Sequence, residues 1–241
     1  MTEETGRLAD IVKRGAEGLG LTLPRGAEAA FQRYYELLSQ RGRSVNLTAI
    51  SDEDDVARLH FLDSLAIMGA ADFAGKQVID IGSGAGFPGM PLKIAQPSIN
   101  LTMLDATGKR IAFLEELCDE LGIKAACVHA RAEEAARNNE MRARFDIALS
   151  RAVARLNVLC ELCLPFLRVG GEFLAMKSVD SDEEIKEAEN AIQKLGAQIE
   201  TIKDYTIPET DITHRVIIIR KTAPTTEEYP RRFAKIQKSP L

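Results

Sequence analysis

Two rhythms of apolar and polar residues divide the chain. Up to about residue 70 the apolar positions recur at helical spacing. Phe31, Tyr34, Tyr35, Leu37 and Leu38 mark a helix predicted over Ala27 to Gln40 and ended by Gly42. A short connector, Val45-Asn46-Leu47-Thr48-Ala49-Ile50, follows. Ser51 then has the character of an N-cap, with Asp52 to Asp55 favourably placed in a first turn, and Val56, Leu59, His60, Leu62 and Leu65 carry a helix to about Met68. From Lys76 the pattern changes to short apolar runs alternating with amphipathic stretches. Strands are predicted at Gln77 to Ile81, Ile99 to Leu104, Lys124 to His129, Phe145 to Ser150 and Glu172 to Met176. Helices are predicted from Pro88, over Lys109 to Leu121, from Ala132, over Arg155 to Leu167 (closed by Gly170-Gly171) and over Asp182 to Leu195. Strands at Gln198 to Tyr205 and His214 to Arg220 complete the series. No helix separates these last two, so they are expected to pair antiparallel. The remainder predicts a doubly wound α/β sheet with helices on both faces.

Composition narrows the class. The 241 residues are 45% apolar and 28% charged, enough to bury a substantial core. The net charge of −5 excludes a uniformly basic coat, so any nucleic-acid contact must come from local patches. The start, Met1-Thr2-Glu3-Glu4-Thr5, is polar and acidic, unlike a secretory signal. The most apolar stretch, Ile147 to Leu167, is broken by Arg151, Arg155 and Glu161, so no membrane span is predicted. A cytoplasmic monomer is the expectation. Cys160 and Cys163 are expected as small core residues on one helix face. No second pair at ligand spacing supports a metal site.

The sharpest feature is Val78-Ile79-Asp80-Ile81-Gly82-Ser83-Gly84-Ala85-Gly86-Phe87-Pro88-Gly89, an apolar run leading into three glycines at alternate positions. Glycine permits a sharp turn and close approach of a ligand to the backbone. At the carboxyl end of the first strand of such a sheet, this turn is a nucleotide site. In the dinucleotide fingerprint two residues separate the second and third glycines; here one does, which suits a ligand without a diphosphate. Asp105 ends strand two, where a carboxylate accepts from both ribose hydroxyls, or caps the helix that follows. Asp80 either holds the turn or meets a ligand ammonium. Ala132-Glu133 either receives an adenine edge or forms an ordinary first helical turn. Arg151, after strand four, and Lys177, ending strand five, either bind phosphate or a base edge, or sit in structural ion pairs. His60 and Asp63 share a helix face, and a hydrogen bond from helix to sheet is favoured there over catalysis. From Tyr229 the tail holds Arg231, Arg232, Lys235 and Lys238, no acid, and interleaved aromatics. It either contacts RNA, with Tyr229 and Phe233 stacking on bases, or folds back as structure.

These residues resemble a known family, the bacterial small-subunit rRNA guanine-N7 methyltransferases. The resemblance rests on Val78 to Gly89 and continues, in order, through Val45 to Ile50, His60-Phe61-Leu62-Asp63-Ser64-Leu65, Lys109 to Leu114, Arg131-Ala132-Glu133-Glu134, Ser150-Arg151-Ala152-Val153, and the tail from Tyr229-Pro230-Arg231-Arg232 to Pro240-Leu241. It implies a class I S-adenosylmethionine (SAM)-dependent fold: a Rossmann-like, doubly wound seven-stranded sheet with an antiparallel last strand and an N-terminal helical extension. The expected divisions are a helical extension at 1–70, a SAM-binding core at 71–225 and a basic tail at 226–241. The resemblance implies transfer of a methyl group to N7 of one guanine in 16S rRNA, free or in the small ribosomal subunit. It implies cofactor contacts at Gly82, Phe87, Asp105, Ala132, Glu133 and Arg151. The residues themselves add Asp80 and Gly84, with Arg151, Lys177, Arg231, Arg232, Lys235 and Lys238 toward RNA. Two local departures, Ser178 after Lys177 and Asp105-Ala106-Thr107-Gly108 before Lys109, leave the strand-five loop and the ribose corner less typical. No Asn/Asp-Pro-Pro-aromatic clamp for an exocyclic amine and no Pro-Cys dipeptide is present. The alternatives are an NAD-dependent oxidoreductase and a non-catalytic RNA-binding module.

Overall fold

The structure is a computed structural model that describes residues 6–45, 47–151 and 154–241, with the backbone alone for 42–45. Met1 to Thr5, Asn46, Ala152 and Val153, invoked above, lie outside the described residues. The helical lead-in comprises α1 (Arg7–Gly18), α2 (Ala27–Val45), α3 (Glu53–Val56), a π-helical turn (Ala57–Leu62) and α4 (Asp63–Ala66). The alternating part runs β1 (Gln77–Ile81), α5 (Gly89–Ala95), β2 (Asn100–Asp105), α6 (Gly108–Leu121), β3 (Ala126–His129), α7 (Ala132–Ala135), β4 (Phe145–Arg151) and α8 (Leu156–Cys163). It continues with β5 (Leu167–Ser178), α9 (Asp182–Lys194), β6 (Ala197–Thr206), β7 (Thr213–Lys221) and α10 (Phe233–Lys238).

One seven-stranded sheet results, in the order β3-β2-β1-β4-β5-β7-β6. β1 to β5 are parallel, and β7 runs antiparallel to both β5 and β6. The expected antiparallel pairing is therefore present, with β7 inserted between β5 and β6. Strand side chains alternate between two cores. Val78, Leu101, Met103, Ile147, Leu149, Leu174, Val216 and Ile218 face one core, which also takes the apolar sides of α1, α2, α5 and α6. Ile79, Ile81, Leu104, Ala148, Phe173, Ala175, Ile217 and Ile219 face the other, with α8, α9 and α10. This period of two is what a sheet covered on both faces requires. Cys160 and Cys163 are fully buried in the second core, as expected.

Four local expectations are corrected. α2 continues through Gly42 to Val45, because a single glycine weakens a helix without ending one already held by packing. Asp52 rather than Ser51 is the N-cap; its Oδ1 accepts from the Asp54 and Asp55 N–H groups at 3.0 and 3.2 Å. The helix expected to reach Met68 is interrupted by the π turn at Ala57–Leu62. The helix expected to reach Leu167 ends at Cys163, passes through a 3-10 turn (Leu164–Phe166) containing Pro165, and gives way to β5, which begins at Leu167. A bulge follows, since Phe145 pairs with Leu167 but Ile147 pairs with Glu172. Gly171 sits in it so close to β4 that a Cβ would lie 2.8 Å from the Asp146 carbonyl oxygen.

Candidate cofactor-binding site

The chain leaves β1 through a loop that only glycine tolerates. Gly82, Gly84 and Gly86 take φ values of 72°, 59° and 104°. A Cβ on Gly86 would stand 2.6 Å from the Tyr34 hydroxyl, whereas one on Gly84 would meet nothing nearer than 3.9 Å. The first glycine is thus left bare by conformation, the last by crowding, and open space remains over the middle one. Backbone bonds from the Gly82 and Ser83 N–H groups to the Leu104 carbonyl, at 2.8 and 3.1 Å, lay the loop across the end of β2. Tyr34 donates to the Ala85 carbonyl at 2.5 Å, which fastens the loop to α2.

Asp105 ties the glycine loop to the turn that leads into α6, whose N-cap is Thr107. Its Oδ2 accepts from the Gly84 N–H at 3.0 Å and its Oδ1 from the Thr107 N–H at 2.8 Å, just before α6. The carboxylate braces the glycine loop and the helix start while lining the cleft between them. Oδ2 also accepts from the Arg110 guanidinium at 3.4 Å, while Oδ1 retains lone-pair capacity for a further donor. Asp80, fully buried in β1, holds the turn through Oδ2, which accepts from the Gly89 N–H at 3.0 Å. Its Oδ1 has no partner, and burial pushes the carboxyl up to about 7. A buried oxygen without a donor is expensive unless a ligand supplies one.

The cleft has a volume of about 260 Å³. Gly82, Asp105, Ala132 and Glu133 line it together, so residues from the ends of β1, β2 and β3 meet as the sequence predicts. The Glu133 carboxylate accepts from the Arg131 guanidinium at 2.5 Å. Phe233, from the far end of the chain, also lines this cleft, a placement that no local pattern announces. Among the described residues no three His, Cys, Asp or Glu side chains gather as a metal site needs.

Phe87 and Arg151 stand on the other side of the glycine loop and are not part of the cleft lining. Phe87 is stacked on Tyr34 at 5.4 Å and on His60 at 4.5 Å, with the Arg151 guanidinium 4.9 Å from its ring centre. Arg151 donates to Asp63 at 3.0 Å and to the Leu59 carbonyl at 3.2 Å, so the structural ion pair foreseen for it is present. Asp63 in turn accepts from Tyr205 and pairs with His214, both at 2.9 Å. The helix-to-sheet bonding expected for His60 and Asp63 is therefore present at both, since His60 Nδ1 also lies 3.2 Å from the Arg151 guanidinium. His60 Nε2 meets Thr48 at 2.7 Å, and burial together with the nearby Arg151 lowers its pKa to about 4.

The basic residues divide into two sets. Lys177 donates to the Ala154 carbonyl at 2.6 Å and pairs with Glu184 at 2.7 Å, inside the protein. Arg231 forks onto the fully buried Glu161, at 2.6 Å in the closest contact, while its own N–H donates to the same carboxylate at 2.7 Å. Arg137 and Arg142 bind the carbonyls of Thr225, Thr226, Glu228, Tyr229 and Pro230. The tail thus folds back as structure, with Tyr229 and Phe233 packed against the second core. Arg232, Lys235 and Lys238 remain exposed on α10.

Comparison with known proteins agrees with this geometry. Residues 27–213 match the family model described as rRNA small subunit methyltransferase G. The ribosomal RNA small subunit methyltransferase G of Alkaliphilus oremlandii is 43% identical over 236 residues, covering 97% of this chain and 99% of that protein. The protein of the same name from Clostridium perfringens is 38% identical, covering 96% and 98%. The branched-chain polyamine synthase of Thermus thermophilus, solved with N4-aminopropylspermidine and 5′-methylthioadenosine, shares the fold with a TM-score of 0.60, covering 88% of this chain and 69% of that one at 15% identity. From a family match over most of its length and relatives covered almost end to end, this chain belongs to the rRNA small subunit methyltransferase G family.

Proposed function

We propose that the chain transfers a methyl group from SAM to N7 of a guanine in small-subunit ribosomal RNA. The observation that carries the reading is the cleft in which the open glycine loop, Asp105 and the Ala132-Glu133 turn converge, in a chain whose near full-length relatives bear that enzyme's name. The residues present fit the cofactor. The glycine loop leaves a cradle over Gly84, Asp105 Oδ1 has capacity for a ribose hydroxyl, and Asp80 holds an unpartnered buried oxygen suited to an ammonium donor. SAM supplies an electrophilic methyl on a sulfonium sulfur. The protein's task is then to hold its two substrates in line. Guanine N7 carries an available lone pair at neutral pH, so no general base must first remove a proton. The buried, neutral His60 is consistent with a packing role under Phe87. In this reading residues 71–225 form the cofactor core, 1–70 brace the glycine loop, and 226–241 close the cleft's rim and present basic side chains.

The direct test incubates the protein with radiolabelled SAM and small-subunit RNA, both naked and assembled, and maps the modified base. Label on a guanine N7 supports the proposal; no label in any assembly state removes it. Asp105→Ala is expected to weaken SAM binding about 100-fold by calorimetry, because it deletes charge-assisted bonds worth about 1.5–3 kcal/mol each and unties Gly84. Unchanged affinity in a folded D105A protein would take Asp105 out of the site.

Arg232, Lys235 and Lys238, exposed at the N-cap and along one short helix, are the tail residues proposed to meet RNA phosphate. Replacing all three by alanine should lower RNA affinity and reduce the slope of log K against log salt by about 2, at roughly 0.7 per phosphate contact in single strands. A slope identical to that of the unaltered protein would leave them as solvated surface.

A further inference from the structure

We infer that Phe233 is the platform on which the adenine ring of the cofactor packs, so the C-terminal segment is part of the cofactor site. The inference rests on the proposed use of SAM and adds a residue to it. Three observations carry it. Phe233 lines the same cleft as Gly82, Asp105 and Ala132, although more than a hundred positions separate it from the last of these in the sequence. Its ring is only partly buried, so aromatic surface remains open toward the cleft. The Arg131 guanidinium lies 4.5 Å from the ring centre, bracing it while holding Glu133.

The cleft has the character a planar heterocycle needs. Ile81, Leu104, Ala130 and Leu162 make an apolar slot beside Phe233, and Asp105 stands in the same cleft as the acceptor for a sugar. Phe233 is not a loose side chain on a mobile tail. One position before Arg232, the Arg231–Glu161 fork clamps the segment to α8, and α8 also supplies Leu162 to the cleft. Three positions after Phe233, Ile236 is fully buried in the second core. An aromatic wall fixed before the ligand arrives binds without an ordering cost. The family-model match ends at residue 213, so the wall is supplied from outside the matched segment.

The chain contains no tryptophan, which makes the test direct. F233W places a sole indole emitter at the cleft wall. Its fluorescence should change saturably with SAM and with 5′-methylthioadenosine, and stay constant with methionine. By calorimetry F233L, which keeps apolar bulk for docking the tail, should bind SAM about tenfold more weakly, the scale of one lost base–aromatic stack, and F233A at least as much. F233W should retain affinity. If the unaltered protein binds SAM while F233L binds it equally and F233W emission is constant, the assignment of Phe233 is overturned and the function stands. If the unaltered protein takes up no SAM, the functional reading fails first. Should F233A not fold, F233L and F233W decide the matter.

Discussion

Asp63→Ala is expected to lower the melting temperature by on the order of 10 °C, from a loss of about 3–5 kcal/mol. Asp63 is buried at the join of three parts of the molecule. Its carboxylate sits on α4, its partner Arg151 ends β4, and Tyr205 and His214 come from β6 and β7. Removing it strands a guanidinium whose side chain is only 15% exposed. Burial alone would raise the Asp63 carboxyl, yet the His214 hydrogen bond and the Arg151 charge outweigh it and hold the group below its ordinary range. The same bond raises His214, against a smaller opposing effect of burial. The signs differ. The aspartate's contribution is present above its unfolded pKa and lost as pH falls through the depressed folded value. The histidine's is present below its unfolded pKa and lost as pH rises through the raised folded value. The difference in stability between the unaltered protein and D63A should therefore be greatest between the carboxyl and imidazole ranges and narrow in strong acid. Denaturant titrations across pH measure it, and a D63A protein melting within about 2 °C of the original would show that the join is held by apolar packing instead. Because Arg151 also lies over Phe87, D63A should loosen the glycine loop and weaken SAM binding as well.

Arg231→Ala should have an effect of similar size for a different reason. Glu161 is fully buried, and the described structure gives its carboxylate no cation other than Arg231. Deleting the guanidinium leaves an unpaired charge in the second core and frees the tail, at about 3–5 kcal/mol. Urea titration of both proteins measures the deficit. An R231A protein as stable as the original would contradict the account. R231M/E161M, which removes both charges and keeps volume, should recover most of the loss. The RNA salt slope, by contrast, should respond weakly to R231A, since Arg231 is turned inward and Arg232 is not.

Much of the candidate cleft was legible in the sequence because its parts lie at strand ends, where local pattern fixes position. Gly82 follows β1, Asp105 ends β2 and Ala132 comes shortly after β3, and a parallel sheet brings such ends to one edge. What escaped is non-local. Nothing around Phe233 announces that it shares a cleft with Gly82, and nothing around Arg231 announces Glu161, 70 positions away. The tail's basic and aromatic composition suits an RNA contact and a folded-back strap equally well. Two of its members, Arg231 and Phe233, proved to be inward-facing. Lys177 likewise carries the charge expected of a phosphate contact and spends it on Glu184. The boundary errors have the same origin. Leu164-Pro165-Phe166-Leu167 is apolar throughout, so it shows neither helical nor strand period, and only pairing with Phe145 assigns Leu167 to β5. The insertion of β7 between β5 and β6 is also a matter of pairing, although the absence of an intervening helix made its direction readable.

The placement of β7 leaves the ten-residue β6 as an outermost strand, with one row of amides and carbonyls unclaimed by the sheet. Such a margin invites a foreign chain to extend it. β6 discourages this with an irregularity between Ile199 and Thr201 that kinks the row, and with Glu200, Lys203 and Asp204, whose charges an incoming strand would have to strip of water. At the opposite margin β3 is only four residues long. The architecture thus guards against accretion at both of its flanks, by interruption on one and by brevity on the other.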